Sequence, residues 1–160
     1  GAGFPGIPVK IACPDVEMTL LDSLQKRIGF LEEVGRQLGL SGVNYVHSRA
    51  EDGGQNLDYR EQFDLCVSRA VANLAVLAEF CLPFVKVGGR LAALKGPDAL
   101  REIDEAQGAL KKLGGKVAEV IDVEIPFTDL QHKLVIIEKT ASTPKAYPRK
   151  AGKINKNPLK

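Results

Sequence analysis

Two β-rich runs near the end of the chain, Val117–Ile125 and Lys133–Glu138, are separated only by Pro126–His132. Parallel neighbours need a crossover of about a dozen residues or more, so these two strands are predicted to pair antiparallel. Upstream the spacing is different. Glu17–Leu21 reads as a strand that stops at Asp22, and Leu24, Ile28, Leu31, Val34 and Leu38 then recur at helical intervals as far as Gly39. Val43–His47 is the next strand, Glu51–Gln62 a polar, glycine-bearing loop, and Asp64–Ser68 a third strand. Residues 71–82 read as an apolar helix halted by Pro83. Gly88–Gly89 introduces a strand at Arg90–Leu94, and residues 98–113 form a helix before Gly114–Gly115. The succession predicts an α/β fold with an open, mostly parallel sheet and an antiparallel C-terminal strand pair.

At 160 residues, 44% hydrophobic and 26% charged, the chain has material for one domain with a core, which excludes disorder and collagen-like repeats. No apolar run approaches the roughly 18 residues of a membrane span, and no signal peptide opens the chain, so a soluble, intracellular protein is expected. Cys13, Cys66 and Cys81 form no C-x-x-C pair and are read as small buried apolar residues. Two histidines supply neither a His-based triad nor a metal centre. The formal charge of +2 hides an uneven distribution: residues 140–160 carry six bases and no acid, whereas the remaining 16 bases face 20 acids. The expected organisation is a body over 1–139 and a basic tail over 140–160. Such a tail cannot make a core, but it can follow nucleic-acid phosphates and order on binding, or serve as a solubilising end. Tyr147, set among the bases, could stack on a base or ribose.

Gly1-Ala2-Gly3-Phe4-Pro5-Gly6 reads as the latter half of a glycine-rich turn leading into a helix, where backbone can approach a ligand closely. An ordinary tight turn has the same composition. About 20 residues on, Asp22 closes a strand at the place where doubly wound folds put the acid that accepts ribose hydroxyls. A carboxylate suits that task because it only accepts hydrogen bonds. The competing role for Asp22 is a helix cap, which Ser23 could also fill.

Together, GAGFPGIP, LLDSLQKR, SRAED at 48–52, FDLCVSRA at 63–70, ALKG at 93–96 and the tail TPKAYPRKAGKINKNPL resemble the ribosomal RNA small-subunit methyltransferase G family, also called the glucose-inhibited division protein B family. The resemblance implies a Rossmann-like class I methyltransferase sheet, S-adenosylmethionine as cofactor, and methylation at N7 of one guanine in 16S rRNA. Small-subunit rRNA or a ribosomal subunit is the implied partner of a cytoplasmic monomer, or of a plastid one in a plant. Carried over by position, the cofactor contacts fall on Gly1, Gly3, Phe4, Ala50, Glu51 and Arg69, with Asp22 added on the ribose reasoning. Glu51 would accept from the adenine amino group; the alternative is a solvated loop acid, the role expected of Asp52. Arg69, Lys95, Tyr147, Arg149 and Lys150 are the expected substrate contacts. Arg69 could instead pair with Glu51, and Lys95 could be a solvated loop lysine. Family members carry a helical segment and a first strand before the glycine turn, whereas this chain begins inside that turn. A missing first strand, and weak or absent cofactor binding by these 160 residues alone, are therefore expected.

No catalytic base is expected, because guanine N7 offers an in-plane lone pair and alignment with the sulfonium methyl suffices. The chain has no N-P-P-Y-like segment for exocyclic amines, and Cys13-Pro14 reverses the Pro-Cys order used on pyrimidine C5. Three other classes share some of these features. An NAD-dependent dehydrogenase would use the glycine turn and Asp22 but not the antiparallel pair or the basic tail. A small-molecule or protein methyltransferase shares the fold, and a non-catalytic RNA-binding fragment shares the charge.

Overall fold

The computed structural model describes residues 2–69, 72–128 and 130–160. They form two compact units, divided between Ala50 and Glu51.

The first unit contains α1 (Gly6–Ala12), β1 (Met18–Asp22), α2 (Gln25–Gln37) and β2 (Val43–His47), with β1 and β2 parallel from Met18 opposite Val43 to Asp22 opposite His47. Ile7, Leu20, Ile28 and Leu31 form its core. Of the five periodic apolar residues, only Ile28 and Leu31 are fully buried. Leu24 and Leu38 lie just beyond the helix ends and are exposed. Gly35 is required by packing, since a Cβ there would sit 1.8 Å from the Tyr45 hydroxyl. Cys13 caps the short α1 and is exposed, contrary to the expectation of burial.

The second unit runs from the short α3 (Ala50–Gly53), which begins at the junction, through β3 (Phe63–Arg69), α4 (Leu74–Cys81) and a 3-10 turn at Leu82–Phe84. It continues with β4 (Val85–Lys95), α5 (Ala99–Leu113), β5 (Gly115–Glu124), β6 (Gln131–Lys139) and α6 (Ala151–Lys156). The strand order is β3-β4-β6-β5. β3 and β4 are parallel, and β6 runs antiparallel to both β4 and β5, so the expected antiparallel pair is present. Leu74, Leu77, Leu82, Leu91, Leu110, Leu113, Val135 and Ile137 fill the core between the sheet and the α4–α5 pair. Cys66 and Cys81 pack against it but are only half-buried, where full burial was expected. Among the described residues, no helix is long and apolar enough to cross a membrane.

Several boundaries differ from expectation for local reasons. The helix predicted from residue 71 starts at Leu74, because the Asn73 side chain accepts the Val76 N–H at 3.1 Å and caps it there; residues 70 and 71 lie outside the described set. Gly88–Gly89 does not precede β4 but lies within it. The β3–β4 register jumps there, from Phe63 opposite Val85 to Leu65 opposite Arg90. A Cβ on Gly89 would come within 2.7 Å of the Asp64 carbonyl oxygen. Glycines inside a strand mark such irregular, close approaches.

The largest correction concerns residues 140–160, which pack rather than trail. Ile154 is fully buried on α6, and Leu159 joins the core cluster. Each apolar side chain contributes about 1.5–3 kcal/mol when buried, so the two suffice to anchor the segment. The Arg149 guanidinium grips Glu79, a carboxylate with no exposure in the middle of α4. Further along, Gly108 of α5 lies so close to Lys160 that a Cβ would meet its backbone at 2.4 Å.

Candidate functional site

In the first unit, Asp22 and Ala50, two of the expected cofactor contacts, lie at or just beyond the carboxyl end of the parallel pair. Asp22 is the last residue of β1 and stands opposite His47, the last of β2; the Ser48 N–H donates to the Asp22 carbonyl at 3.1 Å. Ala50 follows directly at the start of α3. The buried Asp22 carboxylate accepts the Leu24 N–H at 2.9 Å through Oδ1, while Oδ2 lies 3.5 Å from Arg27. That bond closes a turn onto Leu24, the residue that precedes α2, and neither Asp22 nor Ser23 caps the helix through its side chain. A carboxylate has about four acceptor positions and can serve several donors at once. Gly3 adopts φ +85, and its carbonyl accepts the Ile7 N–H at 2.7 Å to begin α1. A Cβ there would lie 2.6 Å from Ile7 and 2.9 Å from Leu31, so both conformation and packing select glycine. Phe4 beside it is 58% exposed. Gly1 lies outside the described residues.

In the second unit, Glu51 is half-buried in α3. Arg69 is exposed at the carboxyl end of β3, opposite Leu94. Carboxyl ends of strands are where open α/β sheets take ligands. Lys95, one residue further along β4, has a different task from the one expected. Its side chain is only 8% exposed, and Nζ lies 2.7 Å from Glu102 and donates to the Ala72 carbonyl at 2.6 Å. The same Glu102 carboxylate accepts the Leu74 N–H at 2.7 Å. Lys95 thus ties the end of β4 to the start of α4 and is not a solvated loop lysine.

Arg149 is likewise committed. Its backbone N–H, Nε and Nη2 donate to the Glu79 carboxylate at 2.9, 2.8 and 2.7 Å, and Nη2 also donates to the Asn157 carbonyl. The carboxylate raises the guanidinium pKa above its ordinary value. Tyr147 is half-buried against the core, whereas Lys150 is exposed at the start of α6. With Lys145, Lys153, Lys156 and Lys160 it leaves five exposed lysines on the folded segment.

Sequence reasoning missed the clamp that joins this segment to the polar loop after α3. Arg60 donates through Nη1 to the carbonyls of Gly54 and Tyr147, and through Nη2 to those of Thr143 and Pro144. Gln55 donates to the Lys145 and Pro148 carbonyls at 3.3 and 3.0 Å. Glu61 accepts the Thr143 N–H at 2.7 Å and lies 3.1 Å from the fully buried Lys139. Burial pushes Glu61 upward, but the Thr143 N–H and Lys139 outweigh it and hold the carboxyl below the ordinary range. Burial pushes Lys139 below its ordinary value against the pull of Glu61. The loop that begins at Glu51 is therefore fixed by the C-terminal segment.

The family model for rRNA small subunit methyltransferase G matches residues 1–133. The chain belongs to this family. It is 58% identical over all 160 residues to the ribosomal RNA small subunit methyltransferase G of Alkaliphilus oremlandii, and 56% identical to that of Clostridium perfringens, spanning 67% of each relative's length. Among solved structures it is similar to an rRNA methylase from Streptococcus thermophilus, with a TM-score of 0.51 and 20% identity over 77% of this chain and 73% of that one. It is also similar to geranyl diphosphate C-methyltransferase from Streptomyces coelicolor, with a TM-score of 0.64 and 10% identity over 88% and 70% of the two chains. The structural likenesses show the Rossmann-like fold of class I methyltransferases, which matches the expected fold class. Membership of the methyltransferase G family shows the broader expectation, an rRNA methyltransferase.

Proposed function

We propose that this member of the family transfers the methyl group of S-adenosylmethionine to N7 of a guanine in small-subunit rRNA. The observation that carries the reading is the family membership over the whole chain. It is supported by the position of Asp22, Ala50 and Arg69 at or just beyond the carboxyl ends of parallel strands. One structural neighbour, the Streptomyces coelicolor enzyme, was solved with S-adenosyl-L-homocysteine.

S-adenosylmethionine supplies an electrophilic methyl on a sulfonium, whose departure as a neutral thioether needs no acid. Asp22 fits the ribose hydroxyls, since it is acceptor-only and fixed by the Leu24 N–H. Gly3 keeps the turn free of a Cβ where backbone must approach closely, and Glu51 is an acceptor for the adenine amino group. On the substrate side, the planar Arg69 guanidinium suits guanine O6 or a phosphate. No residue is asked to remove a proton, because the N7 lone pair forms the new N–C bond directly. The charge passes from sulfur to the methylated guanine. The five exposed lysines on the C-terminal segment favour the RNA electrostatically.

The chain, carried in a protein that supplies a first strand and given saturating S-adenosylmethionine labelled in the methyl group, is mixed with rRNA of both subunits. Label in small-subunit rRNA alone is expected. Label in neither RNA, or equal label in both, would overturn the reading.

A further inference from the structure

The turn between β5 and β6 is the least expected surface of the second unit. Pairing runs to Glu124 opposite Gln131, and the described residues of the connection are 125–128 and 130. The backbone is held by Thr128, whose N–H and hydroxyl both donate to the Ile125 carbonyl, at 3.2 and 2.9 Å. On this small frame Phe127 adopts φ 67, a left-handed conformation unusual for an aromatic residue, and its side chain is completely exposed. Leu130, 59% exposed, and Ile125, 36% exposed, flank it. Three large apolar side chains at a solvent-facing turn add nothing to the core cluster, which includes none of them.

The position of the turn gives it meaning. β6 runs antiparallel to β4, with Lys95 opposite Lys133, and Arg69 of β3 stands opposite Leu94. The turn therefore projects from the same end of the sheet as Arg69, the end at which α/β sheets take ligands. An exposed aromatic ring at the edge of a site with a guanidinium is the arrangement that holds an unstacked nucleobase, because every base offers a π-face.

We infer that Phe127 is a substrate-positioning residue: its ring stacks on an unpaired base of the RNA substrate at the sheet end that carries Arg69. This rests on the proposed rRNA activity and adds a specific contact to it.

The chain contains no tryptophan, so Phe127→Trp introduces a single tryptophan at the turn, which excitation near the red edge of indole absorption reads apart from the tyrosines. Small-subunit rRNA is titrated into this variant, into wild type and into Phe127→Ala, with filter binding measured in parallel. The expected result is quenching of the tryptophan by single-stranded rRNA, with Phe127→Ala binding on the order of ten-fold more weakly and Phe127→Trp like wild type. Circular dichroism of all three should coincide, since the side chain packs on nothing. Wild-type binding with an unquenched tryptophan and an unchanged Phe127→Ala affinity would overturn the inference and leave the rRNA reading standing. Absence of rRNA binding by wild type would overturn both. Quenching only by an assembled subunit, with none by naked rRNA, would overturn base stacking in favour of a protein contact.

Discussion

Replacing Glu79 by alanine should destabilise the second unit more than any surface change, and the geometry sets the size of the effect. The carboxylate has no exposure and takes three hydrogen bonds from Arg149, the longest 2.9 Å. Its removal strands a guanidinium whose side chain is only 14% exposed and which keeps its bond to the Asn157 carbonyl. Breaking one side of a buried pair costs about 3–5 kcal/mol, because the surviving charge stays desolvated. Arg149→Ala should cost a similar amount by stranding the carboxylate. The double replacement Glu79→Leu/Arg149→Met removes both charges while keeping apolar volume, so its cost should fall well below the sum of the two alanine variants. Urea unfolding followed by far-ultraviolet circular dichroism measures all three. The reasoning fails if Glu79→Ala loses less than about 1 kcal/mol, or if the double variant loses the full sum; either would mean the segment around Arg149 is not docked on α4.

Two further outcomes follow from the clamp and the β4 latch. Glu61 has a depressed native pKa, so it contributes stability above the ordinary Glu range near ~4.3, and that contribution is lost as pH falls through the native value. Glu61→Gln should therefore be less stable than wild type at neutral pH yet show a shallower decline on acidification, read as Tm against pH; parallel acid limbs would contradict this. Lys95→Ala, which unties Ala72 and Glu102, should lower stability by about 1–3 kcal/mol while leaving the salt dependence of rRNA binding unchanged. A reduced salt slope would restore Lys95 to the phosphate contacts.

The alternation of strands and helices was legible because period-2 and period-3.6 apolar patterns reflect burial, and the short Pro126–His132 link dictated the direction of the last pair. The place of Asp22 was legible too, since the pattern that ends a strand there is the one the structure shows, with Asp22 as the last residue of β1. The C-terminal segment misled because composition averages over position. Ile154 and Leu159 are two apolar residues among six bases, too sparse for any period, yet both are buried. The available signal lay elsewhere, in Glu79, an acid within the otherwise apolar LAVLAEFC of α4. Such a residue needs a buried cation, and Arg149 supplies it. Lys95 had no comparable signal, since its partners are the Ala72 carbonyl, 23 positions away in sequence, and a carboxylate on the following helix. The Arg60 clamp is equally long-range and uses backbone carbonyls, which every residue has.

The proposed chemistry leaves a direct chemical trace. Methylation at N7 makes a guanine sensitive to borohydride reduction, after which aniline cleaves the RNA at that nucleotide. Small-subunit rRNA from cells carrying the gene for this protein is compared with rRNA from cells in which it is deleted. The account predicts one cleavage at a guanine that is present in the first and lost in the second. Identical cleavage patterns in the two would contradict it.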